Sequence, residues 1–387
     1  MKLLGYRREN GRFGIRNHVL VIPTSVCAAD TAAKIASQVD GAISLPNQHG
    51  CCQIGSDMMQ TERTLAGFGK NPNVGAVLVV GLGCDGIQAH DLAEDIRKSG
   101  KPVDSIVIQE EHGTLNTISL GGKKLRNLAQ KISGQEREEF DISELTVALE
   151  CGGSDPTSGI AANPTIGLVS DKICELGGST ILSETTEVIG AEHLLAKRFE
   201  DENERDKFLK FVKDVEQRAL DLGEDLRSGQ PTPGNKAGGL TTIEEKSLGC
   251  MHKAGSAKFV GALEYAEAIQ ADKKGLYFMD SPGQDIDSNT GMVASGAQMI
   301  MFSTGRGTPT GNPIAPVIKI TGNPDTYEIM QDNIDLNVGK IISEGATLEE
   351  MGEELMEEVI KVANGKKTKS ETLGHKEFGI FKVTGTF

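Results

Sequence analysis

A unit that recurs along the chain constrains its fold more than any other feature. It is a short β-branched run, then a glycine-rich loop, then a stretch with helical spacing. Residues 19–23 (VLVIP) lead through a loop around Cys27 to a helix expected over 30–38. Residues 76–80 (AVLVV) lead through GLGCDG to a helix over 87–98, and a strand at 105–109 precedes a helix near 123–132. The unit restarts at 146–149, with the loop ECGGSDPTSG and a helix over 165–175. Ser179–Leu182, Leu276–Met279 and residues 299–302 read as further strands, 200–226 as a charged helix and 349–363 as an amphipathic one. Residues 229–239 (GQPTPGNKAGG) are too rich in Gly and Pro for regular structure. Such alternation implies an α/β fold, mostly parallel sheets flanked by helices. Ligands of such sheets gather beyond the C-terminal strand ends, where the glycines and cysteines of this chain fall.

A length of 387 residues suits two such units. The polar stretch 133–144 (SGQEREEFDISE) is the linker candidate, dividing the chain into residues 1–135 and 136–387. Aromatics are 4% and Trp is absent, which disfavours stacking on nucleic-acid bases. A net charge of −15 disfavours nucleic acid and anionic membrane as partners, so an anionic substrate needs a local basic pocket. The opening MKLLGYRREN lacks the apolar core of an export signal, and no apolar run is long enough to span a membrane. Seven cysteines without such a signal point to the reducing cytoplasm.

Gly81, Gly83 and Gly86 spell GxGxxG between a strand and a helix, the pattern of a dinucleotide site. Cys84 and Asp85 put a thiol and a negative charge where a pyrophosphate would lie, and a tight turn explains the glycines equally well. An NAD(P)-dependent oxidoreductase is therefore an alternative.

Four cysteines adjoin glycine: Cys51, Cys84, Cys151 and Cys250. Glycine lets the backbone approach a ligand, and thiolates and imidazoles suit iron or zinc. With no CxxC pair, any metal is gathered from distant loops, as in catalytic sites. Buried packing is the plain alternative for each cysteine. His49 precedes Gly50-Cys51 and His252 follows Cys250 by two, so either imidazole can share a metal or a proton with its thiol. The proposed metal set is Cys51, Cys84, Cys151, Cys250 and His49, with His252 as a further ligand or an acid. Lys236 and Arg306 sit among glycines. Arginine forks bind carboxylates, so Arg306 is the substrate clamp, with Asn235, Gly152 and Gly153 beside the substrate. Lys236 is the candidate base, and Glu184 or His252 the acid. Glu150, Asp155 and Glu187 are further acidic groups near strand ends.

GYRRENGRFGIRNHV, NPNVGAVLVVGLGC, LECGGSDPTSGIAANP, ILSETTEVIGAEHLL, PTPGNKAGGLTTIEEKSLGC and MFSTGRGTP occur in order and span nearly the whole chain. Together they resemble the altronate/galactarate dehydratase family. The resemblance implies a dimerising α/β domain followed by a Rossmann-like domain with a crossover, a homodimer, and a separate small β-clip subunit in place of the family's N-terminal domain. It further implies a metal-dependent hydro-lyase converting a sugar acid to a 2-keto-3-deoxy acid. The metal is expected to be Fe2+, with Mn2+ or an iron–sulfur cluster on three cysteines as alternatives. Two features bear on the substrate. Asn47 stands in LPNQHGCC where the family leads one to expect histidine, and His49 is a candidate to take over that role. Relatives include sulfolactate sulfo-lyase large subunits, which expel sulfite; Cys51 favours the dehydratase branch.

Overall fold

The computed structural model describes residues 1–385. Strand β1 (Lys2–Arg7) lies between β2 (Phe13–Gly14) and β7 (Glu138–Asp141) in a small antiparallel sheet. The stretch expected as a linker thus carries a strand that binds the amino terminus.

Four strands form the first parallel sheet, in the order β4-β3-β5-β6. They are β3 (His18–Pro23), β4 (Ile43–Ser44), β5 (Val74–Gly81) and β6 (Val103–Val107). Its apolar runs are buried on both faces, as a parallel sheet requires. Successive side chains point to opposite faces. Val19 and Val21 meet the helices α1 (Val26–Ala36) and α4 (Thr114–Ile132), whereas Leu20 and Ile22 meet α2 (Gly55–Lys70) and α3 (Ala89–Arg97).

Seven strands form the second parallel sheet: β8 (Thr146–Gly152), β9 (Ser179–Leu182), β10 (Phe259–Leu263), β11 (Leu276–Met279), β12 (Met299–Thr304), β13 (Val317–Thr321) and β14 (Leu336–Asn337). Their order is β10-β11-β9-β8-β12-β13-β14. From β8 the chain moves one way through β9 to the edge strand β10, returns to β11 between them, then crosses to β12 on the other side of β8. The sheet therefore has a topological switch point between β8 and β12, where a crevice opens at the C-terminal strand ends. One face is covered by α5 (Asn163–Glu175) and the helices Glu202–Asp221 and Leu348–Ala363. The other faces the first unit: Ile300 and Phe302 share a core with Leu65 and Phe68 of α2, and with Met292 of the helix Asp285–Ala294.

Several expectations shift. The first helix begins at Val26, and the charged helix spans Glu202–Asp221. Within 229–239, expected to be irregular, Pro233–Ala237 form a short helix, because Thr232 caps the Asn235 N–H and Pro233 presets the first turn.

Candidate active site

At the switch point β8 ends in Glu150-Cys151-Gly152 and β12 in Thr304, followed by Gly305-Arg306. Gly152 is required there: a Cβ on it would stand 2.2 Å from Asp285 Oδ2. Gly153 has φ +59°, and its carbonyl accepts hydrogen bonds from the N–H groups of Gly305 (3.2 Å) and Arg306 (3.0 Å), joining the two loops. The helix Ile243–Met251 and the 3₁₀ turn after it bring Lys246, Cys250 and Lys253 to the same place. Their i, i+4, i+7 spacing puts all three on one helical face.

What results is a buried cluster of acids, thiols and amines. Cys151 Sγ lies 2.8 Å from Glu187 Oε2, 3.6 Å from Cys250 Sγ and 3.7 Å from Glu184 Oε2. Lys253 Nζ is 3.0 Å from Glu184 and 3.6 Å from Glu187, while Lys246 Nζ is 2.8 Å from the other Glu187 oxygen. Glu150, fully buried, accepts the Ser288 hydroxyl at 2.6 Å. Glu184 is held in the left-handed region, φ +69°, unusual for a side chain of its size. Its N–H donates to Ser281 Oγ at 2.9 Å, which aims its carboxyl into the cluster.

Electrostatics separates the four acids. Burial, then the charge of Glu184, pushes Glu150 well above the usual carboxylate range. Burial, then Glu187, raises Glu184 to about 8. Asp285 is raised to about 6 by burial and by Glu187. Glu187 moves the other way: burial opposes its charge, but Lys246 and Lys253 outweigh it. The thiol of Cys151 is pushed up by its contact with Cys250 and by burial. Near neutral pH the cluster thus holds ionised Glu187 and Asp285, two ammonium groups, and protons on Glu150 and Glu184.

A cleft of about 260 Å³ opens onto it, lined by Cys151, Gly152, Gly153, Asn235, Lys246, Asp285 and Arg306 among others. Arg306 is exposed and donates to the Gly234 carbonyl at 2.8 Å; Asn235 is buried and donates to the Ser154 carbonyl at 3.2 Å. The cleft is therefore lined by two cationic donors, Lys246 and Arg306, and by the carboxylates of Glu187 and Asp285.

Among the described residues two groups can hold a cation: Cys151, Glu187 and Cys250, and separately Glu150, Glu184 and Asp285. The first fits a thiophilic divalent ion. Its sulfurs stand 3.6 Å apart, close to the ~3.8 Å edge of a tetrahedron with metal–sulfur bonds of ~2.3 Å.

Not every residue put forward from sequence comes together here. Cys151, Cys250, Glu184, Arg306, Asn235, Gly152 and Gly153 lie in or against the cluster. Cys51 and Cys84 are exposed on loops of the first unit, and among the described residues neither they nor His49 join a cation-holding group. Cys51 Sγ lies 3.8 Å from Cys52 Sγ, and His49 Nε2 lies 2.8 Å from the Ile380 carbonyl. Asn47 is buried and structural, donating to the Pro23 carbonyl and accepting the His49 N–H. Lys236 is exposed and does not line the cleft. His252 lines a neighbouring cleft of about 220 Å³. Asp155 pins its own loop, accepting from Thr157, Ser158 and Asn323. Lys246, Lys253 and Asp285 were not singled out, although the spacing of the two lysines about Cys250 signals them.

The GxGxxG loop is closed to a pyrophosphate. Asp85 Oδ2 accepts the N–H groups of Leu82 (2.6 Å) and Gly83 (3.3 Å) and the Thr24 hydroxyl (3.0 Å), filling the amide nest with the chain's own carboxylate.

Comparison with known proteins decides the family. Residues 5–133 match the model of the D-galactarate dehydratase/altronate hydrolase second domain, and residues 142–386 that of the D-galactarate/altronate dehydratase C-terminal domain. The chain belongs to the D-galactarate/altronate dehydratase family. Among its relatives is the (2R)-sulfolactate sulfo-lyase subunit beta of Chromohalobacter salexigens, 42% identical over 98% of this chain and 97% of that one. The altronate dehydratase of Escherichia coli is 36% identical over 97% of this chain and 77% of its own length. The galactarate dehydratase (L-threo-forming) of the same organism is 36% identical, covering 82% and 62%. The family's altronate and galactarate dehydratases place the chain among the carbon–oxygen lyases. Among the described residues no helix is long and apolar enough to cross a membrane.

Proposed function

We propose that this chain is the large catalytic subunit of a cytoplasmic hydro-lyase that dehydrates a sugar acid of the altronate or galactarate type to a 2-keto-3-deoxy acid, acting as a homodimer with a separate small β-clip subunit. The observation that carries the reading is the cleft at the switch point. Its lining combines the Arg306 guanidinium and the Lys246 ammonium with the carboxylates of Asp285 and Glu187.

Elimination from a 2,3-dihydroxy acid removes the C2 proton and expels the C3 hydroxyl, leaving an enol that tautomerises to the keto acid. Arg306 and Asn235 orient the substrate carboxylate. Asp285, ionised above about pH 6, takes the C2 proton. Lys246 is the donor facing the departing hydroxyl. Of the two candidate acids, His252 faces the neighbouring cleft, and Glu184 stays behind Cys151 as a buried proton reserve. Lys236, expected as the base, gives that role to Asp285 because it does not reach the cleft. A divalent metal, expected to be Fe2+, would be held by Cys151, Glu187 and Cys250 and supply Lewis-acid stabilisation of developing negative charge. Two thiols and a carboxylate suit one ion; a cluster on three cysteines lacks its third thiol among the described residues.

A second reading keeps the site and changes the leaving group. The sulfolactate sulfo-lyase relative matches this chain over nearly its whole length and is itself named as a subunit. Sulfite leaves as a stable anion and needs no proton donor. The anaerobically iron-loaded protein, with its small subunit, should be offered altronate, galactarate and sulfolactate. Keto-deoxy product lost on chelation supports dehydration; sulfite release from sulfolactate alone supports the second reading. Asp285→Asn should lower kcat by about 10²–10⁴-fold and abolish solvent exchange of the C2 proton, and an unaltered exchange rate would remove Asp285 from the mechanism.

A further inference from the structure

The loop between β4 and α2 carries two adjacent thiols, Cys51 and Cys52, and both are exposed. Adjacent side chains ordinarily diverge, to opposite faces of a strand or different sides of a helix. Here the sulfurs meet, Cys52 Sγ donating to Cys51 Sγ at 3.8 Å. The backbone brings this about: Cys52 has φ +66°, a left-handed conformation unusual for a residue with a Cβ.

The loop is held on both sides of the pair. Asn47 Oδ1 accepts the His49 N–H at 3.0 Å, and the His49 carbonyl accepts the Val26 N–H at 2.7 Å. On the other side Gln53 Nε2 donates to Thr61 Oγ1 at 2.9 Å. A fixed loop thus presents two touching thiols to solvent. The pair belongs to neither cation-holding group of the catalytic cluster. Cys27 and Cys84 are exposed too, but among the described residues neither contacts a second sulfur.

We infer that Cys51 and Cys52 form a redox-active dithiol, which a peroxide closes to a vicinal disulfide. One thiolate attacks a peroxide oxygen: an S–O bond forms, the O–O bond breaks, and one oxygen leaves as water. The neighbouring thiolate then attacks the sulfenic sulfur, forming the S–S bond and expelling the second oxygen as water. Two thiols and one peroxide give one disulfide and two waters, sulfur being oxidised and oxygen reduced. The second step needs a thiol already within reach, which the contact supplies. Cys27 and Cys84 lack such a resolving thiol and serve as controls within the same chain. This chemistry needs none of the groups of the catalytic cleft.

The test treats the full chain, without added metal, with hydrogen peroxide and digests it with trypsin under non-reducing conditions. Residues 35–63 form one tryptic peptide, in which Cys51 and Cys52 are the only cysteines. That peptide should become lighter by two hydrogens, roughly tenfold faster than Cys27 or Cys84 is oxidised. A dithiol reductant should restore it. In Cys51→Ser and Cys52→Ser the remaining thiol cannot close the ring. One of the two variants should stop at a sulfenic acid, trapped by dimedone, and neither should lose two hydrogens. A peptide left reduced, or oxidised no faster than Cys27 and Cys84, would overturn the inference. So would a disulfide from either thiol to another cysteine or a second chain, or the absence of sulfenic acid from both variants.

Discussion

Lys253 places its ammonium between Glu184 and Glu187 with 1% of its side chain exposed. Burial opposes its charge, but the acidic groups around it (Cys151, Glu184 and Glu187) hold it well above the usual lysine range. Removing one partner of such a group strands the other, so Lys253→Met should destabilise the protein by about 3–5 kcal/mol. Adding Glu187→Gln should restore part of that loss in urea unfolding; a double variant as unstable as the sum of the singles would show that the two groups are not coupled. His18 makes a pH prediction. Burial, then Arg16, lowers it from 6.5 to about 4. The unfolded chain therefore takes up a proton that the folded chain refuses, so this contribution to stability is whole above pH 6.5 and declines as pH falls towards 4. His18→Asn should flatten that decline by about 3 kcal/mol; an unchanged slope would contradict it. Cysteines show where sequence runs out at this scale. A glycine-flanked thiol at a strand end is legible, but which sheet owns the strand is not. Here each unit keeps its own thiols: Cys151 meets Cys250, while Cys51 lies beside Cys52.

Elements were legible where apolar runs were uninterrupted, as in β3, β5, β8 and β9. The strand β13 (VIKIT) escaped because Lys319 breaks its run, yet that lysine is buried and donates to the carbonyls of Pro309 (2.9 Å) and Thr310 (2.8 Å). Helix α2 escaped because Gly55, Gly67 and Gly69 make it read as loop. Two of these glycines serve packing: a Cβ on Gly67 would stand 2.4 Å from the Ala294 carbonyl oxygen, and one on Gly69 2.5 Å from the Ile96 side chain. Gly67→Ala gains ~1 kcal/mol of helix propensity but forces two backbones apart, typically a loss of about 1–3 kcal/mol. Net destabilisation is expected in thermal melts. Gly55→Ala, where nothing lies within 4 Å, is the control and should be neutral or better. Equal behaviour of the two variants would mean that α2 and the helix Asp285–Ala294 part freely.

For the whole molecule, the division into residues 1–135 and 136–387 proposed from sequence raises the question of whether the parts unfold separately. Three features bind them. The core between the sheets is shared, Leu65 and Phe68 packing with Met292, Ile300 and Phe302. β1 pairs with β7 across the division. Arg16 reaches Glu371 at 2.7 Å and the carbonyls of Val362 and Lys366, with 9% of its side chain exposed. A polar linker in sequence says nothing of this, because the faces that meet are apolar and would look the same if each packed on its own layer. If the shared layer governs, neither part has a complete core alone. Calorimetry of the full chain should then give one transition, coincident by near-ultraviolet and far-ultraviolet probes. Residues 1–135 expressed alone should expose the α2 and α3 face and bind a hydrophobic dye. Two resolved transitions, with the isolated segment melting at the lower of them, would show instead that the shared layer is only a contact between independently stable domains.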